Sequence, residues 1–351
     1  MKAYRQLRKE HHDSVYYATA CYRTGAIHEA AGHKKDALHD YMKAIEQGIG
    51  DYHAHRAHQR LHEFGQVTDS PATDLEIDGK HSFIRPFPLK AETLQDVPER
   101  VLKDPRCQRL YFFGENGFEE GEWETLALGV ALRDAPDPGA YYQAIAEAGF
   151  ACTALELADA ADWGIHHGRP TPASQGPRAA PHARLRIAYP LAYWPHVSAL
   201  AKATGVDPYL LLSVARQEST FRPALTSSAG ARGLMQVMPA TASWLAQVEP
   251  NVNQAHARHL DAPLNSLHIG AYYLMRMIER ADGNLAYALA SYNAGPGNVS
   301  KWRKRFPGAD LDTFIESIPF SETRHYVKSV LGNYAAYHSL YPPLSLGSRG
   351  Y

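Results

Sequence analysis

The sequence predicts an all-α protein, and three observations predict it. Apolar residues recur at helical spacing over most of the chain, strand-like alternation is rare, and no turn signal is flanked by two runs that read as strands. With 351 residues, 45% of them apolar and 21% charged, the chain suits a folded protein of two domains.

The composition excludes several classes of function. A formal net charge of -1 gives no basic field for a nucleic acid. The one local cluster, Lys301-Trp302-Arg303-Lys304-Arg305, reads as a solvated helix face. Cys21, Cys107 and Cys152 are scattered, form no CxxC pair and read as small buried apolar residues. No stretch approaches the ~18 apolar residues of a membrane span. Residues 1–15 are charged and lack the apolar core of a signal peptide, so an export signal is expected to lie outside this chain.

Along the chain, residues 14–47 predict a helix-turn-helix. Ala20, Gly25 and Ile27 fall in one helix, Gly32 breaks it, and Ala37, Leu38, Tyr41, Ala44 and Ile45 follow at helical spacing. The small and aromatic positions Gly25, Gly32, Ala37, Tyr41 and Ala44 resemble a tetratricopeptide unit. One such unit cannot bury its own face, and residues 95–163, broken by Pro136, Pro138 and Gly149, are expected to stack on it. Residues 69–88 read as a loop. Residues 164–181, with Pro170, Pro172, Pro177 and Pro181, read as a linker. The expected organisation is a helical domain over 1–165, a Pro/Gly-rich loop over 166–183 and a second helical domain over 184–351 that carries the chemistry.

Asp207-Pro208 is a helix start, an N-cap carboxylate followed by proline at the first helical position. Leu211, Val214, Ala215 and Glu218 then share one face. Glu218 therefore continues a stripe that is expected to be buried, near a helix C-terminus where the dipole disfavours negative charge. Both effects favour the protonated acid, the form that can protonate a leaving glycosidic oxygen. The plain alternative is a solvated surface glutamate. Residues 226–233 are rich in Ser, Ala and Gly, which lets backbone approach a ligand, and Pro239 opens a further helix. Another helix begins after Asn284, and its stripe of Leu285, Ala288, Leu289 and Tyr292 ends at the 294–297 turn. On spacing alone, Tyr292 is a core aromatic or a site residue.

Glu218 opens the block ESTFRP (218–223). SSAGARGLMQ (227–236), Met238-Pro239, ASYNAGPG (290–297) and IPFSETRHYV (318–327) follow in order. Together these blocks resemble the motifs of the soluble lytic transglycosylase family. The resemblance implies a catalytic domain like goose-type lysozyme preceded by a helical superhelix, which here is shorter than in that family. It implies that Glu218 is the catalytic acid and then base, and that Ser227 hydrogen-bonds the sugar N-acetyl group or the attacking hydroxyl. Gln236 and Met238 would line the groove, the Tyr292 hydroxyl would contact the catalytic glutamate, and Glu322 would be a second acidic groove residue. For Glu322 the plain reading stays open, because a first-turn glutamate after an N-cap Ser321 is favoured by the helix dipole whatever its function.

The implied substrate is the glycan strand of peptidoglycan, in the periplasm or cell envelope, with protein partners approaching through the helical repeats. Neither a cofactor nor a metal is implied. Most glycosidases use two carboxylates, whereas a lytic transglycosylase works with one because the substrate's own C6 hydroxyl attacks and leaves a 1,6-anhydro end. A hydrolytic muramidase and a noncatalytic peptidoglycan-binding scaffold are the alternatives. Among the 19 histidines, His28-Glu29 with His33 superficially resembles HExxH, but five positions turn about 140° around a helix and separate the imidazoles. His58 and His62 have helical spacing without a third ligand, and read as surface residues. No GxSxG, Walker or dinucleotide motif is present.

Overall fold

A computed structural model gives the fold. It describes residues 2–11, 14, 16–45, 50–66, 75–76, 83–84, 97–116, 121–131, 137–160, 165–166, 169–170 and 181–341. In chain order, α1–α4 occupy Lys2–Glu10, Tyr17–Ala30, Lys34–Ile45 and Tyr52–Glu63. Helices α5–α9 occupy Glu99–Leu102, Pro105–Asn116, Gly121–Ala131, Pro138–Glu147 and Ala151–Ala160. Helices α10–α15 occupy Pro181–Ala188, Trp194–Thr204, Pro208–Ser219, Pro239–Val248, Gln254–Arg258 and Pro263–Arg280. Helices α16–α19 occupy Leu285–Ala294, Pro296–Arg305, Leu311–Ser317 and Ser321–Leu340.

The class is all-α, as expected. Two antiparallel ladders interrupt it, β1 (Leu75–Glu76) with β2 (Phe83–Ile84), and β3 (Ile165–His166) with β4 (Arg169–Pro170). Two residues per strand are too few for alternation to show in the sequence. Most of the expected loop at 69–88 and of the expected linker at 166–183 lies outside the described residues. No helix among the described residues is long and apolar enough to cross a membrane.

The chain forms two compact units, one of residues 1–89 with 277–351 and one of residues 90–276. This division cuts across the expected boundaries at 165 and 184. The first unit contains the expected helical pair, α2 and α3, turned at Gly32 with φ 77°. Gly25 makes the pair close. A Cβ there would stand 2.8 Å from the Tyr41 ring, so glycine lets the aromatic lie on the opposing backbone. Tyr41, Ala37, Ala44, Cys21 and Tyr22 form a core that α4 extends with Ala57 and Leu61.

The pair's further partners within the unit come from the C-terminal end; residues 95–163, expected to stack on the pair, fall in the other unit. Asp312 on α18 accepts hydrogen bonds from the Tyr22 hydroxyl at 2.6 Å, the Tyr52 hydroxyl at 2.7 Å and Arg56 at 3.1 and 3.3 Å. Burial opposes the charge on Asp312, but Arg56 and these hydrogen bonds outweigh it and hold the carboxyl well below the usual carboxylate range. A buried carboxylate needs such partners, and α2 and α4 supply them. Glu316, one turn on, pairs with Arg23 at 2.7 Å and Lys328 at 2.6 Å.

The second unit packs α8 on α9 and α10, and α11 on α12. Arg216 of α12 is buried. Its guanidinium lies over the Tyr189 ring and its Nε donates to the Ala188 carbonyl at 2.7 Å, which fixes α12 against the end of α10.

Candidate active site

Helix α12 starts as its sequence requires. The Asp207 carboxylate accepts from the Tyr209 N–H at 2.8 Å and Pro208 takes the first helical position. Leu211, Val214 and Ala215 are buried, and Glu218 next on that face is half-buried, one residue before the helix ends. The carboxyl thus stands at the mouth of the apolar stripe, where the expectation put it fully inside.

The chain leaves α12 through two consecutive left-handed residues, Thr220 with φ 51° and Phe221 with φ 60°. Neither is glycine, and each such residue costs on the order of 1–3 kcal/mol. Burial of the Phe221 ring, 1% exposed, holds the turn in place. Arg222 then reaches back to α9, with Nε 3.0 Å from Cys152 Sγ and a terminal nitrogen 3.2 Å from Glu156. Burial pushes the Cys152 thiol up to about 12, so this sulfur is a packing group rather than a nucleophile.

The expected close-approach segment folds into a compact loop. Ser227 and Ala231 close a turn on each other: the Ser227 N–H donates to the Ala231 carbonyl at 2.9 Å, and the Ala231 N–H donates to Ser227 Oγ at 3.0 Å. Ser227 is half-buried, and the proton of its hydroxyl is left to donate elsewhere. Gln236 is itself left-handed, φ 46°, and its amide nitrogen donates to the carbonyls of Leu225 at 2.8 Å and Gly233 at 2.9 Å. Its two amide protons therefore brace the loop, which leaves the side-chain carbonyl as its group for a ligand. Met238, 40% exposed, is the N-cap of α13 and precedes Pro239.

One contact joins these pieces. The Ser219 hydroxyl lies 2.9 Å from the carbonyl oxygen of Leu234 and 3.2 Å from that of Ala215. The end of α12 is thus tied to the loop, and Glu218, Ser227, Gln236 and Met238 fall on one braced segment of the second unit.

Tyr292 and Glu322 belong to the first unit. The Asn284 side chain caps α16 by accepting from the Tyr287 N–H at 2.9 Å, and Gly295 at φ 82° ends the helix. Tyr292 stands in the last turn, 8% exposed. Glu322 is exposed in the first turn of α19. The N-cap there is Phe320, without a side-chain cap, so Ser321 is the first helical residue and not the expected cap. The Thr323 hydroxyl donates to Asn293 Oδ1 at 2.6 Å and joins the two helices beside the two site residues.

Sequence reasoning missed Ser219, Asn293 and Thr323. Each is the chain neighbour of a named site residue within a quoted motif block, and that adjacency was the available signal. The basic cluster is amphipathic, with Trp302 buried and Lys301, Arg303, Lys304 and Arg305 exposed. His58, expected at the surface, is buried and His62 is half-buried. His28 lies 2.9 Å from Asp40. Among the described residues no group of three metal-ligating side chains comes together.

Residues 196–315 match the model of the family described as transglycosylase SLT domain, and residues 317–342 match soluble lytic transglycosylase helical domain. The second match falls on α19, whereas the helical domain was expected over 1–165. A soluble lytic murein transglycosylase of Salmonella typhimurium is 38% identical over 155 residues, which is 44% of this chain and 24% of that protein. A membrane-bound lytic murein transglycosylase F of Yersinia enterocolitica is 31% identical over 150 residues, 40% of this chain and 29% of that protein. The crystal structure of the 70 kDa soluble lytic transglycosylase of Escherichia coli superposes with a TM-score of 0.62 at 22% identity, over 92% of this chain and 47% of that one. An inactive glutamate-to-glutamine mutant of the lytic transglycosylase Slt of Pseudomonas aeruginosa gives 0.58 at 25% identity, over 95% and 48%. The chain thus spans about a quarter of the length of that Salmonella relative and about half of the solved chains. The resemblance read from the motifs is shown over residues 196–315 and 317–342, and the fold is similar to the matching half of the solved soluble lytic transglycosylases.

Proposed function

We propose that this chain cleaves the glycan strands of bacterial peptidoglycan as a lytic transglycosylase, with Glu218 as acid and then base. The observation that carries the proposal is the position of Glu218. It ends a buried stripe, half out of solvent, at a helix C-terminus braced through Ser219 to the loop of Ser227 and Gln236, inside the segment that matches the transglycosylase family. Partial burial and the helix dipole both favour the neutral acid.

Protonated Glu218 donates its proton to the oxygen of the β-1,4 bond between N-acetylmuramic acid and N-acetylglucosamine, and that bond breaks with its electron pair going to the departing oxygen. The muramic N-acetyl carbonyl shields the cationic anomeric carbon. Glu218, now a carboxylate, removes the proton of the same sugar's C6 hydroxyl, whose oxygen bonds to C1. The acid is regenerated, a 1,6-anhydro end is formed and no water is consumed. A held intramolecular nucleophile has a high effective concentration, so a second protein carboxylate is not required. The Ser227 hydroxyl proton suits the N-acetyl carbonyl. The roles that the resemblance implies for Gln236, Met238, Tyr292 and Glu322 belong to the same proposal, as does action in the periplasm or cell envelope.

Mass spectrometry of digested sacculi tests it. Anhydro ends are one water lighter than reducing ends, and they are the expected product. Reducing ends alone would mean that water attacks and the chain is a muramidase. Sacculus binding without release of fragments would mean a noncatalytic binder.

A further inference from the structure

A pocket lies in the unit that holds Glu218, away from the braced loop. It has a volume of about 230 Å³ and is walled by Tyr111 of α6, Glu147 of α8, and Tyr193, Trp194 and His196 at the start of α11. Tyr193 is a bulky residue in the left-handed region, φ 53° and ψ 31°. Gly149, φ 106°, accommodates it, since a Cβ there would stand 3.0 Å from the Tyr193 ring. A bulky residue held in this conformation is strained, and such strain concentrates where ligands bind. The Trp194 indole stacks on Tyr209, with centroids 5.8 Å apart and planes at 19°. Tyr209 begins α12 and Glu218 stands near its far end, about 14 Å along the axis.

The walls define the ligand chemistry. Flat aromatic faces suit the C–H face of a pyranose ring, whose rim carries hydroxyls. The positive end of α11 favours acceptor oxygens. The Glu147 carboxylate, steadied by Gln143 at 2.9 Å, accepts from hydroxyl and amide donors. The volume falls below the ~300–1,000 Å³ of sites for larger ligands, and so suits one ring. The carboxylate disfavours a sugar that bears an acid of its own.

We propose that this pocket holds one neutral N-acetylglucosamine ring of a glycan strand, as a second carbohydrate position on the unit that carries Glu218. The inference rests on the glycan-cleaving function proposed above.

Isothermal titration with tri-N-acetylchitotriose, on full-length protein carrying Glu218→Gln, tests it. Two binding events are expected. Tyr111→Ala should weaken one of them by about five-fold, the worth of an aromatic face, and Glu147→Gln should weaken the same event while keeping the shape of the side chain. Melting curves identify a variant that has merely unfolded, and in that case the isosteric Glu147→Gln decides. A single binding event, or two events that neither substitution alters, would overturn the pocket. Failure of the catalytic reading shows separately, as turnover by the Glu218→Gln protein.

Discussion

The hydroxyl of Ser219 lies 2.9 Å from the carbonyl oxygen of Leu234, 15 residues further on, and this contact holds the end of the Glu218 helix against the loop of Ser227 and Gln236. Both partners are buried, Ser219 at 3% and Leu234 at 0% exposure. Ser219→Ala strips a buried carbonyl of this donor, which costs about 1–3 kcal/mol. Clearance of a sacculus suspension should also slow, because the loop is no longer registered against Glu218. Urea unfolding and turbidity read the two effects; parent-like values in both would remove the tie from the account.

Gly233 and Gly230 are both left-handed, at φ 77° and φ 87°, yet they differ in their surroundings. A Cβ on Gly233 would sit 2.0 Å from the Leu260 carbonyl oxygen, whereas one on Gly230 meets nothing within 4 Å. Gly233→Ala therefore combines backbone strain with overpacking, roughly 2–5 kcal/mol, and Gly230→Ala carries only the ~1–2 kcal/mol of the left-handed conformation. Unfolding free energies should keep that order. Equal losses would mean that the loop is not pressed against Leu260.

The acid limb of stability is expected to come from Asp312 and Glu316. Burial raises both carboxyls. For Asp312 the Arg56 charge and the hydrogen bonds from Arg56, Tyr22 and Tyr52 outweigh it, and for Glu316 the nearby His53, Lys328 and Arg23 do so, leaving both below their ordinary values. A carboxyl depressed in the folded state contributes stability above its unfolded value near ~4, and that contribution is lost as pH falls through the folded value. Melting temperature should hold at neutral pH and fall progressively below about pH 4. Asp312→Asn, which leaves Arg56 buried without its counter-ion, should cost about 3–5 kcal/mol at neutral pH and flatten the acid limb. An unchanged limb would place the acid sensitivity elsewhere.

The parts of this architecture that local chemistry determines were legible in the sequence. The Asp207 and Asn284 caps, the proline starts at Pro208 and Pro239, the Gly32 turn and the Gly295 stop are each set by a few neighbouring residues, and the structure has each of them. The Asp312 cluster was not legible. Its partners Tyr22, Tyr52 and Arg56 lie 256–290 residues away in sequence, and no periodicity encodes a pairing at that distance. The same long-range packing places the C-terminal helices with α2 and α4 and so cuts across the boundary expected at the Pro-rich stretch. Within the site, motif order pointed to Glu218, Ser227 and Gln236. It gave no sign that Gln236 spends its amide protons on the loop, because that depends on the left-handed backbone at residue 236.

Glu218→Gln tests the central claim most directly. It keeps the size and polarity of the side chain and removes only its capacity to give and take a proton at the glycosidic bond. With sacculi as substrate, turbidity clearance should fall about a thousand-fold, the scale of a lost general acid, while the melting temperature and sacculus binding stay at the parent level. Near-parent clearance by a folded Glu218→Gln protein would contradict the account, because the proton would then have to come from another group.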